Sequence, residues 1–205
     1  MKTARTALAV TACLLAWGCS RSSPDAPSLA SIAVSTGTGS VPKGTTRQLA
    51  ATGTWSDGST RDVTAEAAWS SSAPAVAAVS AGGLLTGVAV GAGVTVAASV
   101  GAVQGTASVS VGPPVVASVA VSPATSYLAP GSPLQLHATG TYTDATVADV
   151  TALAAWSSSV PTQVAVSAGG LASVALGATG QSTAVVSATI DGQSAGATLT
   201  VGKGP

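Results

Sequence analysis

The chain has 205 residues, seven basic and seven acidic side chains, a net charge of zero, and 46% hydrophobic residues without a single Phe. That balance excludes intrinsic disorder, which needs low hydrophobicity and high charge, and it excludes a nucleic-acid binder, which needs a clustered basic face. Charged residues are only 7% against roughly 25% in an average soluble domain, so Ser, Thr, Ala and Gly must build the surface and few charges guard exposed strand edges.

Residues 1–18 read as an export signal: Met1-Lys-Thr-Ala-Arg5 is a short basic start, and Thr6 to Trp17 is an apolar run too short to span a bilayer. Leu15-Ala-Trp-Gly-Cys19 resembles the lipobox of bacterial lipoproteins, in which cleavage falls before a cysteine that then carries acyl chains. Gly18 fits that pattern, and Trp17 departs from the small residue usual there. Cutting at the similar Val10-Thr-Ala-Cys13 would leave too short an apolar core. Cys19 is therefore the expected lipidation site and the expected membrane attachment. No second cysteine then remains for an intramolecular disulfide, and stability must come from packing. Removing the signal leaves Arg21, Lys43, Arg47, Arg61 and Lys203 against seven acids, 5 − 7 = −2. Residues 19–29, polar and carrying Pro24 and Pro27, read as a flexible tether. Ser20 rather than Asp after the cysteine goes with outer-membrane sorting in familiar Gram-negative lipoproteins.

Beyond the tether the chain repeats itself. Ser31-Ile-Ala-Val-Ser35 returns as Ser118-Val-Ala-Val-Ser122, an offset of 118 − 31 = 87 that holds without a gap to Leu84 and Leu171. It carries Leu49 onto Leu136, Ala51-Thr-Gly-Thr-Trp55 onto Ala138-Thr-Gly-Thr-Tyr142, and Trp69-Ser-Ser-Ser72 onto Trp156-Ser-Ser-Ser159. Later the copies drift: Val88 meets Val174 at 174 − 88 = 86, and Val109 meets Leu199 at 199 − 109 = 90, as indels in late loops would produce. Two domains follow, residues 30–112 and 116–202, joined by 113–115. Pro113-Pro114 favours a stiff extended junction and a semi-rigid rod.

Within each copy the hydrophobic period is two. In Gln48 to Trp55, Leu49, Ala51, Gly53 and Trp55 share one face and Gln48, Ala50, Thr52 and Thr54 the other, the signature of a half-buried strand. Asp57-Gly58 supplies a tight turn needing positive φ. The second copy has Ala145 in place of Gly58, which predicts a looser turn or one of another type. Val94-Thr-Val96, Val109-Ser-Val111, Val164-Ala-Val166 and Val185-Val186 are short, β-branched and bounded by Gly, Pro or Ser. About seven short strands per copy and no long amphipathic helix predict an all-β fold, two β-sandwiches in tandem.

The order Ser-Ile-Ala-Val-Ser, Lys43-Gly44, Gln48-Leu49, the Ala51 to Thr60 segment, Asp62-Val-Thr64, Trp69-Ser-Ser-Ser72, Pro74-Ala-Val76, Gly83-Leu84 and Gly105-Thr-Ala-Ser-Val-Ser-Val111 resembles the bacterial Ig-like group 2 module. That module is similar to the Ig-like domains of invasin and intimin. The resemblance covers both copies and implies Ig-like domains, an extracytoplasmic setting and surface adhesion, and it transfers no catalytic residue. Trp69 and Trp156 are similar to the strand C tryptophan of Ig-like cores. With Trp55, Tyr142, Leu49 and Leu136 they are expected to form the core, the large aromatics burying on the order of 200 Å² each. An aromatic sugar platform is the competing reading of the same rings.

Some modules of this kind have been linked to calcium, which makes Asp57, Asp62, Asp144 and Asp149 candidate metal ligands. Calcium takes about six to eight oxygens, more than two carboxylates across a turn supply. The favoured reading is that Asp57 and Asp144 hydrogen-bond local turn amides. No cofactor is expected. Catalysis finds no constellation: His137, the single histidine, falls on the polar face of its strand where the first copy has Ala50, and Gly91-Ala-Gly93 lacks the helix a phosphate loop needs. The expected function is a non-catalytic, lipid-anchored protein of the cell envelope, at the outer membrane or cell surface, whose modules adhere to or recognise a protein or glycan. The alternative is a passive structural spacer without a ligand. Oligomeric state has no signature in the sequence.

Overall fold

A computed structural model describes residues 26–175 and 182–202. The expected signal segment, Cys19 and the part of the expected tether before residue 26 lie outside the described residues. Among the described residues all regular structure is strand, arranged as two Ig-like sandwiches in tandem. No helix there is long and apolar enough to cross a membrane.

The first copy contains β1 (Leu29–Ser35), β2 (Val41–Pro42), β3 (Thr46–Gln48), β4 (Ala50–Trp55), β5 (Thr60–Asp62), β6 (Ala68–Ser71), β7 (Ala77–Val79), β8 (Leu84–Gly87), β9 (Gly91–Val100) and β10 (Val103–Gly112). The second contains β11 (Val116–Ser122), β12 (Thr125–Leu128), β13 (Leu134–Gln135), β14 (His137–Tyr142), β15 (Val147–Asp149), β16 (Ala155–Ser158), β17 (Val164–Val166), β18 (Leu171–Val174), β19 (Ser182–Ile190) and β20 (Gln193–Val201). Each copy builds the same three sheets. In the first these are β1-β4-β5, β2-β10-β9-β6 and β3-β8-β7; in the second, β11-β14-β15, β12-β20-β19-β16 and β13-β18-β17.

Ten segments per copy exceed the seven read from the sequence because single extended runs change sheets. The run from Thr46 to Trp55 breaks at Leu49, whose N–H bonds the Gly83 carbonyl at 2.9 Å. Before the break it pairs with β8, and after it with β1 and β5. The first run likewise leaves β4 after Ser35 and rejoins the opposite layer as β2, parallel to β10. Sheet switching through short breaks is how two twisted layers enclose a core from one chain.

The period-two pattern sets which side chains enter that core. Leu49, Ala51 and Gly53 are buried, while Ala50 and Thr52 face solvent. Without Phe, the fully buried pieces are Leu49, Leu85, Val41, Val63 and Val96 in the first sandwich, and Leu128, Leu136, Leu199, Val150, Val164 and Val186 in the second.

The hairpin turns correct one expectation. Ala145 does not relax its turn: it holds φ 65°, close to the 81° of Gly58. Both turns close with the same bonds, Trp55 N–H to the Ser59 carbonyl and Tyr142 N–H to that of Thr146, each 2.8 Å. The left-handed conformation is imposed on an alanine by the flanking β14–β15 pairing and by Asp144, whose carboxylate holds Thr146.

Candidate functional site

The large aromatics sit at the rim of the core. Trp69 donates from Nε1 to the Thr64 carbonyl and Trp156 to that of Thr151, both at 2.9 Å. Each indole lies on a glycine, Gly83 or Gly170, where a Cβ would come within 2.9 Å and 2.8 Å of the ring. Both indoles are half-buried. Trp69 packs against both apolar clusters of the first sandwich, so it joins them rather than filling either. Leu49 and Leu136 are wholly inside. Tyr142 packs against the second core. Trp55 folds over Gly53, and the Arg61 guanidinium covers its ring at 4.7 Å.

The four candidate metal ligands each hold their own backbone. Asp57 Oδ1 accepts from Ser59 N–H at 2.9 Å and Ser59 Oγ at 2.6 Å, and Asp144 Oδ1 accepts from Thr146 N–H at 3.2 Å and Oγ1 at 2.6 Å. Asp62 and Asp149 accept from Thr64 and Thr151 N–H at 2.8 Å. Hydrogen bonds stabilise the ionised form. Ser59 holds Asp57 below its ordinary range, Thr64 does so for Asp62 and Thr151 for Asp149. Thr146, then Lys43, lower Asp144 to about 2. Among the described residues no three His, Cys, Asp or Glu side chains stand together as a metal site would need. His137 is exposed on β14.

Asp144 also reaches across the junction. Lys43 Nζ lies 3.0 Å from its Oδ2. Thr143 Oγ1 donates to the Lys43 carbonyl at 2.6 Å and accepts from the linker N–H of Val115 at 3.3 Å. One hydroxyl therefore ties the first sandwich, the linker and the second sandwich together. Gly44, at φ +83°, rests against the Thr143 carbonyl so closely that any Cβ there would overlap it. The motif Lys43-Gly44 is legible in the sequence, but Thr143 belongs to a different copy and carries no signal of its own.

Two depressions lie on the second sandwich. One of about 260 Å³ is lined by Thr125, Ser126, Tyr127, Thr198 and Thr200. The other, about 390 Å³, runs beside Trp156 and is lined by Ser157, Ser158, Pro161, Ala165 and Val166. Tyr127 stands in no motif; its signal is that the offset of 87 gives it Ser40 as counterpart.

These features define a tandem Ig-like β-sandwich protein. Residues 28–111, the first sandwich, match the family described as bacterial Ig-like domain (group 2). No curated protein matches the chain. Among solved structures it is similar to surface layer protein SbsC, domains 1-6, with 16% identity over 87% of this chain and a TM-score of 0.40; the match spans 29% of that chain. SbsC domains 4 and 5 give 16% identity over 85% of this chain and 99% of theirs, at a TM-score of 0.38. Human Protocadherin-24 EC1-2 gives 11% identity over 87% of this chain and all of that one, at 0.34.

Proposed function

We propose that this is a non-catalytic envelope protein, anchored by a lipid on Cys19, whose two sandwiches form a stiff arm that presents a recognition surface to a protein or glycan outside the cell. The observation that carries the reading is the junction: Thr143 Oγ1 and the Lys43–Asp144 pair fix one module on the other, so a face of the distal module keeps its direction relative to the first module. The match of residues 28–111 to a bacterial Ig-like domain supports the extracytoplasmic setting. Hydrogen bonds of this kind contribute about 1 kcal/mol each, and they act on a linker already stiffened by Pro113-Pro114.

The test is a pull-down with residues 20–205 against envelope extracts and a glycan panel, with an unrelated Ig-like tandem as control. A specific, saturable partner is the expected result. Nothing above the control from a folded sample would leave a passive spacer as the better reading. Anchoring is read separately: incorporation of a labelled fatty acid should require Cys19, and a Cys19→Ser chain that still incorporates it would refute the anchor.

A further inference from the structure

We propose that the outer face of the β12–β20–β19 sheet in the second sandwich is a carbohydrate platform, on which a neutral sugar ring stacks against Tyr127 and bonds to the hydroxyls of Thr125, Thr198 and Thr200. The inference rests on the recognition reading above and gives it a site and a ligand class. Residues two apart on a strand share a face. Leu128, Leu199 and Val201 are buried, so Thr125 and Tyr127 on β12, and Thr198 and Thr200 on β20, point outward. The parallel register sets Thr125 beside Thr198 and Tyr127 beside Thr200. The antiparallel register of β19 extends both rows, to Val185 and Thr183.

The chemistry of this face is that of a sugar site. Tyr127 is 52% exposed, a large aromatic area left in water. Its ring face carries the negative lobe of the quadrupole and suits the polarised C–H face of a pyranose. The hydroxyls of Thr125, Tyr127, Thr198 and Thr200 have no hydrogen-bond partner among the described residues, while Ser126 Oγ donates to the Tyr127 carbonyl at 3.3 Å. A hydroxyl both donates and accepts, which matches the hydroxyl rim of a sugar without any charge. No lining residue is charged. The depression is lined by five residues, few for a protein partner, which takes roughly 20–30 residues a side. Strand-borne side chains also lose little freedom on binding, which favours a small ligand.

The fold itself does not require the platform, as the first copy shows. Leu128 pairs with Val201 as Val41 pairs with Val111, which places Tyr127 at Ser40. There the chain is a loop, not a strand. Arg47 holds it, its guanidinium donating to the carbonyls of Thr36, Gly39 and Ser40 at 3.3, 2.8 and 3.0 Å. In the second copy Leu134 replaces that arginine. The segment then extends along β20, Thr198 N–H bonds the Ala124 carbonyl at 2.8 Å, and Tyr127 is carried onto the open face.

The test titrates the full chain with cellohexaose, maltohexaose and N-acetylchitohexaose, read by saturation-transfer difference NMR. At least one sugar should give a saturable signal. Tyr127→Ala should weaken it by about tenfold or more, Tyr127→Phe should keep most of it, and the double change Thr198→Val with Thr200→Val should lower it severalfold. Because Tyr127 is half in water, its substitution should leave the unfolding temperature in place, which separates lost binding from lost fold. A sugar that binds wild type and Tyr127→Ala alike would overturn the platform while leaving recognition standing. Failure of all three sugars to bind at millimolar concentration would overturn it too, whether or not the pull-down finds a protein partner.

Discussion

Gly44→Ala and Gly58→Ala impose the same backbone penalty and differ in one contact, so together they measure what the junction does. Gly44 has φ +83° and Gly58 φ +81°. An alanine in the left-handed region costs about 1–2 kcal/mol, partly offset by roughly 0.4–1 kcal/mol from a less free unfolded chain. Each change should therefore destabilise the first sandwich by about 1 kcal/mol, a fall of roughly 4–8 °C for a domain of this size. At Gly58 a Cβ meets nothing within 4 Å. At Gly44 it meets the Thr143 carbonyl and the Asp144 backbone. Backbone cannot step aside as a side-chain tip can, so the modules must part and lose the Thr143 and Asp144 bonds to Lys43. Calorimetry reads the shared penalty, and residual dipolar couplings of the two sandwiches read their relative orientation. Gly58→Ala should lower the melting temperature and leave the couplings consistent with one rigid body. Gly44→Ala should decouple the two alignment tensors. A Gly44→Ala chain that keeps the wild-type orientation would refute the clamp.

The second hairpin offers the converse change: Ala145→Gly removes the strain at φ 65° and should stabilise the second sandwich by several tenths to about 1 kcal/mol, seen as a rise in its unfolding transition. Leu136→Ala, at a site with no exposure, should cost about 2–5 kcal/mol in denaturant unfolding of that sandwich. Trp156→Phe loses the Nε1 bond to Thr151 and should cost about 1 kcal/mol. Acid sensitivity follows from four carboxylates whose pKa is lowered from the ordinary 3.8 by hydrogen bonds to Ser or Thr. A depressed folded pKa adds stability above the unfolded value, so that contribution should be intact above about pH 5 and fade as pH falls through 3.8 toward the folded value, about 2 for Asp144. Asp144→Asn should flatten that loss in a pH series of unfolding curves. Calcium or a chelator should leave both transitions where they are, because the carboxylates hold their own turns; a calcium-dependent rise of the melting temperature would restore the metal reading.

The strand faces were legible because burial follows a period of two: Leu49, Ala51 and Leu136 are inside as the alternation requires. The turn role of Asp57 and Asp144 was legible too. Each has Ser or Thr two residues on, Ser59 and Thr146, the spacing at which a side-chain oxygen caps its own turn. Ala145 was not, because residue type sets a preference for φ and the hairpin's closing bonds can override it at modest cost. Sheet switching at Leu49 was hidden since a break of one residue leaves the alternation intact. The clamp escaped for a different reason. It joins residues 143 − 43 = 100 positions apart, and local pattern carries no information about a contact between two copies.

The few charges explain why recognition should fall on a neutral face. Lys43 and Asp144 lock the junction, Arg47 pins the loop at Thr36 to Ser40, Arg61 covers Trp55, and Asp57, Asp62 and Asp149 hold turns. Each of these side chains is engaged within the chain, and an incoming charged ligand would have to displace an existing partner to use it. Surface ion pairs that must first be broken add little affinity. The hydroxyls of Thr125, Thr198 and Thr200, by contrast, are unengaged among the described residues and sit on rigid strands beside the exposed Tyr127. Where the second copy departs from the first, at Leu134 for Arg47, it gives up such a fastener and gains that open face. Restoring the arginine in the second copy alone, Leu134→Arg together with Tyr127→Ser, should therefore remove sugar binding and leave the junction orientation unchanged. Binding that survived this double change would place recognition elsewhere on the molecule.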